Sequence, residues 1–141
     1  MAILESGRRN IIVIGAGFGG ITALLKLERQ LARHHLAGRF SLILVSPVSY
    51  HLYTAALYEI ASIPREDADA RALKASICIP IELILERFPD IHFIDQGVAA
   101  LDPERHVVRL ARGDELNFDY AIVAVGAETN FFEIPGVLEH S

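Results

Sequence analysis

The sequence predicts an α/β fold: a parallel sheet flanked by helices, with a three-stranded antiparallel β-meander set into the chain order. Three observations carry this expectation. Asn10-Ile11-Ile12-Val13-Ile14 reads as a short buried strand and is followed by Gly15-Ala16-Gly17-Phe18-Gly19-Gly20 and a run of good helix formers. Further apolar runs at 40–45, 91–95 and 120–127 have the composition of strands covered on both faces. Between the last two, turn residues at 102–105 and 112–114 divide the chain into three short segments.

In order, the first strand leads into Gly15-x-Gly17-x-x-Gly20, placed where a dinucleotide fingerprint has to be, after a strand and opening a helix. Gly15 permits a tight turn, Gly17 lets a pyrophosphate approach the backbone, and Gly20 lets helix and strand pack closely. The free N–H groups of the first helical turn then face an anion, helped by the helix dipole. A glycine-rich turn without ligand is the alternative. The helix is expected over about 21–36, with cationic residues near its end and Gly38 as its stop. His34 and His35 are adjacent, so they point to different sides of the helix and read as solvated rather than as a metal pair.

The second strand, 40–45, ends at Ser46-Pro47. A dinucleotide fold ordinarily has an acidic residue here for the ribose hydroxyls, and serine supplies no bidentate carboxylate. Residues 50–62 are aromatic-rich and mostly uncharged, a short helix or ordered loop lying over a flat ligand or simply over the sheet. A charged connection at 64–71 follows. Pro80 sits where a first helical turn accepts it, and Ile81, Ile84, Leu85 and Phe88 fall on one helical face. Cys78, among isoleucines, reads as a buried small hydrophobe. The segments 97–101, 106–110 and 115–118 form the meander, and 120–127 is a last buried strand ending in a glycine turn.

Composition bounds the function. The 141 residues are 52% hydrophobic, which fits a doubly covered sheet or a surface normally covered by further chain. The formal net charge of −5 and the absence of a basic stripe argue against nucleic acid as a partner. The single cysteine forbids an internal disulfide and fits a reducing compartment. Residues 1–9 lack the apolar core of a signal peptide, and no segment is long and apolar enough for a membrane span.

IVIGAGFGGITA, SYHLYTAALYEIA, DPERHVV and FDYAIVAVGAETNFFEIPG together resemble the N-terminal part of the type II NADH:quinone oxidoreductases. These are FAD enzymes of the two-dinucleotide-binding-domain flavoprotein superfamily. The resemblance covers nearly all of this chain but only the opening of a family member. It implies a Rossmann-like FAD-binding domain, single and partial over residues 1–141, with the NADH domain and the C-terminal part outside it. It implies that Gly15, Ala16, Gly17, Phe18, Gly19 and Gly20 wrap the FAD pyrophosphate. Ser46 would face the adenosine ribose and the backbone near Ala99 the adenine edge. Ala124 and Gly126 would lie toward the flavin, and Thr54 with Ala55 beside its ring.

The implied function is electron transfer from NADH through FAD to a quinone, with the cofactor doing the chemistry and no side chain nominated as catalytic. The implied location is cytoplasmic, peripheral on the inner face of the membrane for a full-length enzyme, and a homodimer is compatible. Ser46, the alanines at 55 and 56 and Val125 depart from the family pattern and bear on FAD affinity rather than fold. Alternatives are a non-catalytic nucleotide- or flavin-binding module, an inactive remnant, or another quinone or ferredoxin reductase of the superfamily. A sulfide:quinone oxidoreductase needs reactive cysteines, and only Cys78 is available. The isolated chain is expected not to retain stoichiometric FAD through gel filtration.

Overall fold

The computed structural model describes residues 7–64, 66, 69–127, 130, 132 and 134–136. The order along the chain is β1 (Arg9–Ile14), α1 (Phe18–Arg33), β2 (Phe40–Ser46), β3 (Tyr50–Leu52), α2 (Leu57–Ala61), α3 (Ala70–Ile77), β4 (Cys78–Pro80) and α4 (Ile81–Leu85). β5 (Ile91–Asp95), β6 (Val98–Asp102), β7 (Val107–Leu110), β8 (Glu115–Asn117) and β9 (Tyr120–Val123) complete it. Four strands form a parallel sheet in the order β5-β2-β1-β9. β6, β7 and β8 form the antiparallel meander, and β3 pairs with β4 in a small antiparallel ribbon.

Alternation along the central strands explains the high apolar content. Ile11 and Val13 of β1, with Leu42 and Leu44 of β2, pack against Ile21, Leu24 and Leu31 of α1 and Ile81 and Leu85 of α4. Their neighbours Ile12, Ile14, Ile43 and Val45 turn the other way and pack on Val108, Leu110 and Leu116 of the meander. The sheet is therefore covered by helices on one face and by the meander on the other. Both residue sets must be apolar, so β1 and β2 read as unbroken hydrophobic runs.

Several elements differ from the sequence expectation. α1 starts at Phe18 and ends at Arg33, where His35 takes a left-handed conformation (φ 57°) and its N–H donates to the Ala32 carbonyl. The stop is thus His35 rather than Gly38, which lies in a 3₁₀ turn over Ala37–Arg39. β3 and β4 break up two stretches read as helix or loop. Pro80 closes β4, opposite Tyr50, and is also the N-cap of α4, so the expected helix starts one residue after it with Ile81 and Leu85 buried. The solvated connection expected over 64–71 ends in the first turn of α3, which buries no residue fully and half-buries Leu73 and Ile77 on its apolar face. Its start is nonetheless encoded, since the Asp69 carboxylate accepts from the N–H groups of Arg71 and Ala72.

β9 is shorter and more exposed than the expected buried strand. It is held to β1 in parallel register, Ile12 opposite Ala121, and by the Asp119 carboxylate accepting from the Asn10 N–H at 2.7 Å. Its outer edge has no strand partner among the described residues, and Val123 is 57% exposed. Tyr120-Ala121-Ile122-Val123 carries no charge or proline to discourage pairing with another strand. Val123→Lys is therefore expected to reduce self-association in light scattering while changing stability by less than about 0.5 kcal/mol. Unchanged scattering would show that this edge is not where copies associate.

Candidate functional site

The chain runs from β1 to β2 on one side of the sheet, while β9 lies on the other side of β1. Strand order therefore reverses at β1, and open α/β sheets bind ligands in the crevice beyond the carboxyl ends of the strands at such a point. A cleft of about 570 Å³ opens there. The β1–α1 junction contributes Ile14, Gly15, Ala16, Gly17 and Phe18, and the end of β2 contributes Val45, Ser46, Pro47 and Val48. Tyr50, Leu52 and Thr54, then Gly97 and Val98, then Ala124, Val125 and Gly126 complete the lining. Among the described residues, no Asp, Glu, Lys, Arg or His side chain lines it.

The glycines of the loop do different work. Gly15 has φ +104°, its N–H donates to the Val45 carbonyl at 2.8 Å, and a Cβ would overlap the Ala124 carbonyl. A Cβ on Gly20 would overlap the carbonyl oxygen of Gly15, so the close approach of α1 to the β1 turn requires its absence. Gly17 differs from both. Nothing lies within 4 Å of where its Cβ would be, yet it lines the cleft. Protein packing does not demand glycine at 17; the bare backbone faces open space.

Gly17 is also the N-cap of α1, with no side chain capping the helix and no acidic residue in its first turn. The opening amides and the positive end of a 16-residue helix are thus left to an external anion. The donor set fits a dinucleotide pyrophosphate: backbone N–H groups for the phosphates and an apolar, uncharged surround for flat rings.

The pyridine nucleotide-disulphide oxidoreductase family matches residues 9–141. The chain belongs to this family. Among curated relatives, the external NADH-ubiquinone oxidoreductase 2 of Saccharomyces cerevisiae mitochondria is 31% identical over 138 residues. That match covers 92% of this chain and 23% of the yeast protein. The external alternative NAD(P)H-ubiquinone oxidoreductase B1 of Solanum tuberosum is 30% identical, over 96% of this chain and 23% of its own length. The chain thus spans about a quarter of the curated relatives it matches. Among solved structures, the sulfide:quinone oxidoreductase of Aquifex aeolicus superposes with a TM-score of 0.75 at 25% identity, over 94% of this chain and 28% of that one.

Within this pyridine nucleotide-disulphide oxidoreductase chain, the residues singled out from sequence separate into two groups. Gly15, Ala16, Gly17, Phe18, Ser46, Thr54, Ala124 and Gly126 line the cleft together. Gly19, Gly20 and Ala99 do not. Gly20 is buried behind the loop, and Ala99 is exposed on β6, where its neighbours Gly97 and Val98 reach the cleft instead. Val98 pairs with Leu110 and Ala100 with Arg109, so Ala99 is the extra residue of a β-bulge and stays outside the cleft that Val98 reaches. Ala55 likewise lies outside the lining that Thr54 joins.

Ser46 lines the cleft, but its hydroxyl is already engaged. The residue is buried, and Oγ donates to the Val48 carbonyl at 3.1 Å while accepting from the Val48 N–H at 3.2 Å. It closes the turn leaving β2, so a ribose would compete with that turn for the same oxygen. Cys78 is partly exposed rather than buried, beside Arg71 and Lys74 in a second cavity of about 480 Å³. Among the described residues no group of His, Cys, Asp and Glu converges to hold a metal ion.

His51, which the sequence offers with Tyr53 as a packing or hydrogen-bonding residue rather than a catalyst, contacts the glycine loop. It is 6% exposed, lies outside the cleft lining, and its Nδ1 is 3.0 Å from the carbonyl oxygen of Ala16. The ring of Phe18 stands edge-on to it at 4.6 Å, and Tyr53 lies 5.8 Å from Phe18 on the same side. The sequence signal, an aromatic cluster at 50–53, was legible; the bond to a residue 35 positions away was not.

Proposed function

We propose that this chain is the FAD-binding part of an NADH dehydrogenase that passes electrons from NADH through FAD to a quinone. One observation carries the reading: an uncharged cleft at the sheet's switch point, into which an uncapped helix and a bare Gly17 open. The yeast and potato relatives, as NADH- and NAD(P)H-ubiquinone oxidoreductases, supply the NADH and quinone part of it. Residues 1–141 are read as one partial dinucleotide-binding domain within such an enzyme.

In this reading the amides that open α1, beginning at Gly17, hold the pyrophosphate, and the apolar Pro47 and Val48 with Gly97 and Val98 flank the adenosine. Ser46 stands at the ribose. Thr54, Ala124 and Gly126 lie toward the flavin, where Val125 adds an apolar wall. Bound FAD would supply the redox chemistry between NADH and quinone; the chain's own part is to bind, orient and keep water from the rings. No described helix is long and apolar enough to cross a membrane. A peripheral, cytoplasmic-side location belongs to the same proposal.

A sulfide-oxidising reading draws on the Aquifex likeness, but Cys78 lines a different cavity from the switch-point cleft and so adds nothing to it. Equilibrium titration followed by flavin fluorescence tests the preferred reading. FAD is expected to bind saturably at one per chain, with ADP-ribose competing. Gly17→Asp is expected to weaken FAD by at least about tenfold, because a carboxylate would face the pyrophosphate. Its melting temperature should not fall, since the site for a side chain is open. Unsaturable binding, or unchanged affinity in the Asp variant, would overturn the reading.

A further inference from the structure

We propose that His51 is a positioning residue that aims the Gly17 amide N–H into the cleft; this rests on the reading of the cleft as a pyrophosphate site. His51 sits at the centre of β3, opposite Ile79 of β4, so the ribbon fixes its backbone. A carbonyl oxygen only accepts, so the 3.0 Å contact with Ala16 requires the proton on Nδ1. Phe18, edge-on at 4.6 Å, packs on the same imidazole.

The consequence follows from peptide geometry. No described peptide bond is cis. In a planar trans peptide the C=O and the following N–H point in opposite directions. Because the Ala16 carbonyl is directed to the buried His51, the N–H of Gly17 is directed away from it. Gly17 lines the cleft, and His51 does not. Rotation of this peptide would aim a carbonyl oxygen, rather than an N–H, toward a bound anion. The glycine offers little steric resistance to that rotation. The imidazole opposes it, since a turned carbonyl would forfeit its buried donor.

Two variants and two probes test this. His51→Leu keeps bulk without a donor, and His51→Asn keeps an N–H near the same place. ADP carries the pyrophosphate, and adenosine does not. His51→Leu is expected to weaken ADP by at least about tenfold, the scale of one hydrogen bond to a charged group, and adenosine by less than about twofold. His51→Asn should recover most of the ADP affinity. Nitrogen-15 NMR of the unmodified protein should show a protonated Nδ1 on His51.

Equal weakening of both probes in His51→Leu would reduce the residue to a packing role and overturn the proposal. So would unchanged ADP affinity, or an Nδ1 without a proton. Absence of ADP binding by the unmodified protein would instead overturn the pyrophosphate reading itself and the positioning role with it.

Discussion

Gly20→Val is expected to leave no cooperatively folded protein at room temperature, the largest single-residue effect in the chain. A Cβ at this position overlaps the carbonyl oxygen of Gly15, and the obstacle is backbone rather than a movable side chain. Relief would require α1 to draw back from the β1 turn. That would open the contact of Leu24, which is fully buried between helix and sheet. Gly15 cannot yield either, because its N–H is bonded to Val45 and it lies beside the Ala124 carbonyl. The cost should exceed about 4 kcal/mol, comparable with the whole stability of a small domain. Chemical denaturation followed by circular dichroism checks it. A variant unfolding at the same denaturant midpoint would contradict the packing account. The contrast with Gly17→Asp is the useful part: one glycine serves the fold, and the other leaves room beside it.

Ile43→Ala and Leu44→Ala are expected to cost about 2–5 kcal/mol each. These neighbours are fully buried on opposite faces of β2. Ile43 packs with Val108, Leu110 and Leu116 of the meander, and Leu44 with the helices. Each truncation leaves a cavity on a different side, between groups with no shared layer. Because neighbouring sites can couple through the backbone, the double variant also measures how rigidly β2 connects its two faces. Similar large losses for both, read as denaturation midpoints, would fit a sheet covered twice. A loss below about 1 kcal/mol for Ile43→Ala would indicate that the meander packs only loosely on it.

The parts of the fold legible in the sequence are those with long apolar runs or demanding glycines. β1, β2 and β5 announce themselves because both faces are covered, and the Gly15-x-Gly17-x-x-Gly20 spacing marks the turn that follows β1. β3 and β4 are three residues each, too short for a period to register. α3 is only eight residues long with no fully buried residue, so Leu73 and Ile77 make a short apolar stripe and the Asp69 cap is its sharper signal. β9 misled in the other direction, because apolar composition reads as burial, whereas β9 lies at a sheet edge with Val123 exposed.

The site divides along the same line. Glycine placement is local and could be read directly. The engagement of the Ser46 hydroxyl by Val48 depends on how one turn closes. The His51 bond to Ala16 depends on a ribbon made from segments far apart in the chain. Neither leaves a mark in residue spacing. The β-bulge in β6 leaves no such mark either: it puts Ala99 outside the lining that its neighbours Gly97 and Val98 join.

The measurement that bears most directly on the account is the change in backbone amide resonances on titration with FAD. The largest shifts are expected at Gly17, Phe18 and Gly19, with smaller ones at Val48, Gly97 and Gly126, all saturating at one FAD per chain. Shifts confined to the second cavity around Cys78 and Lys74, or none that saturate, would contradict it.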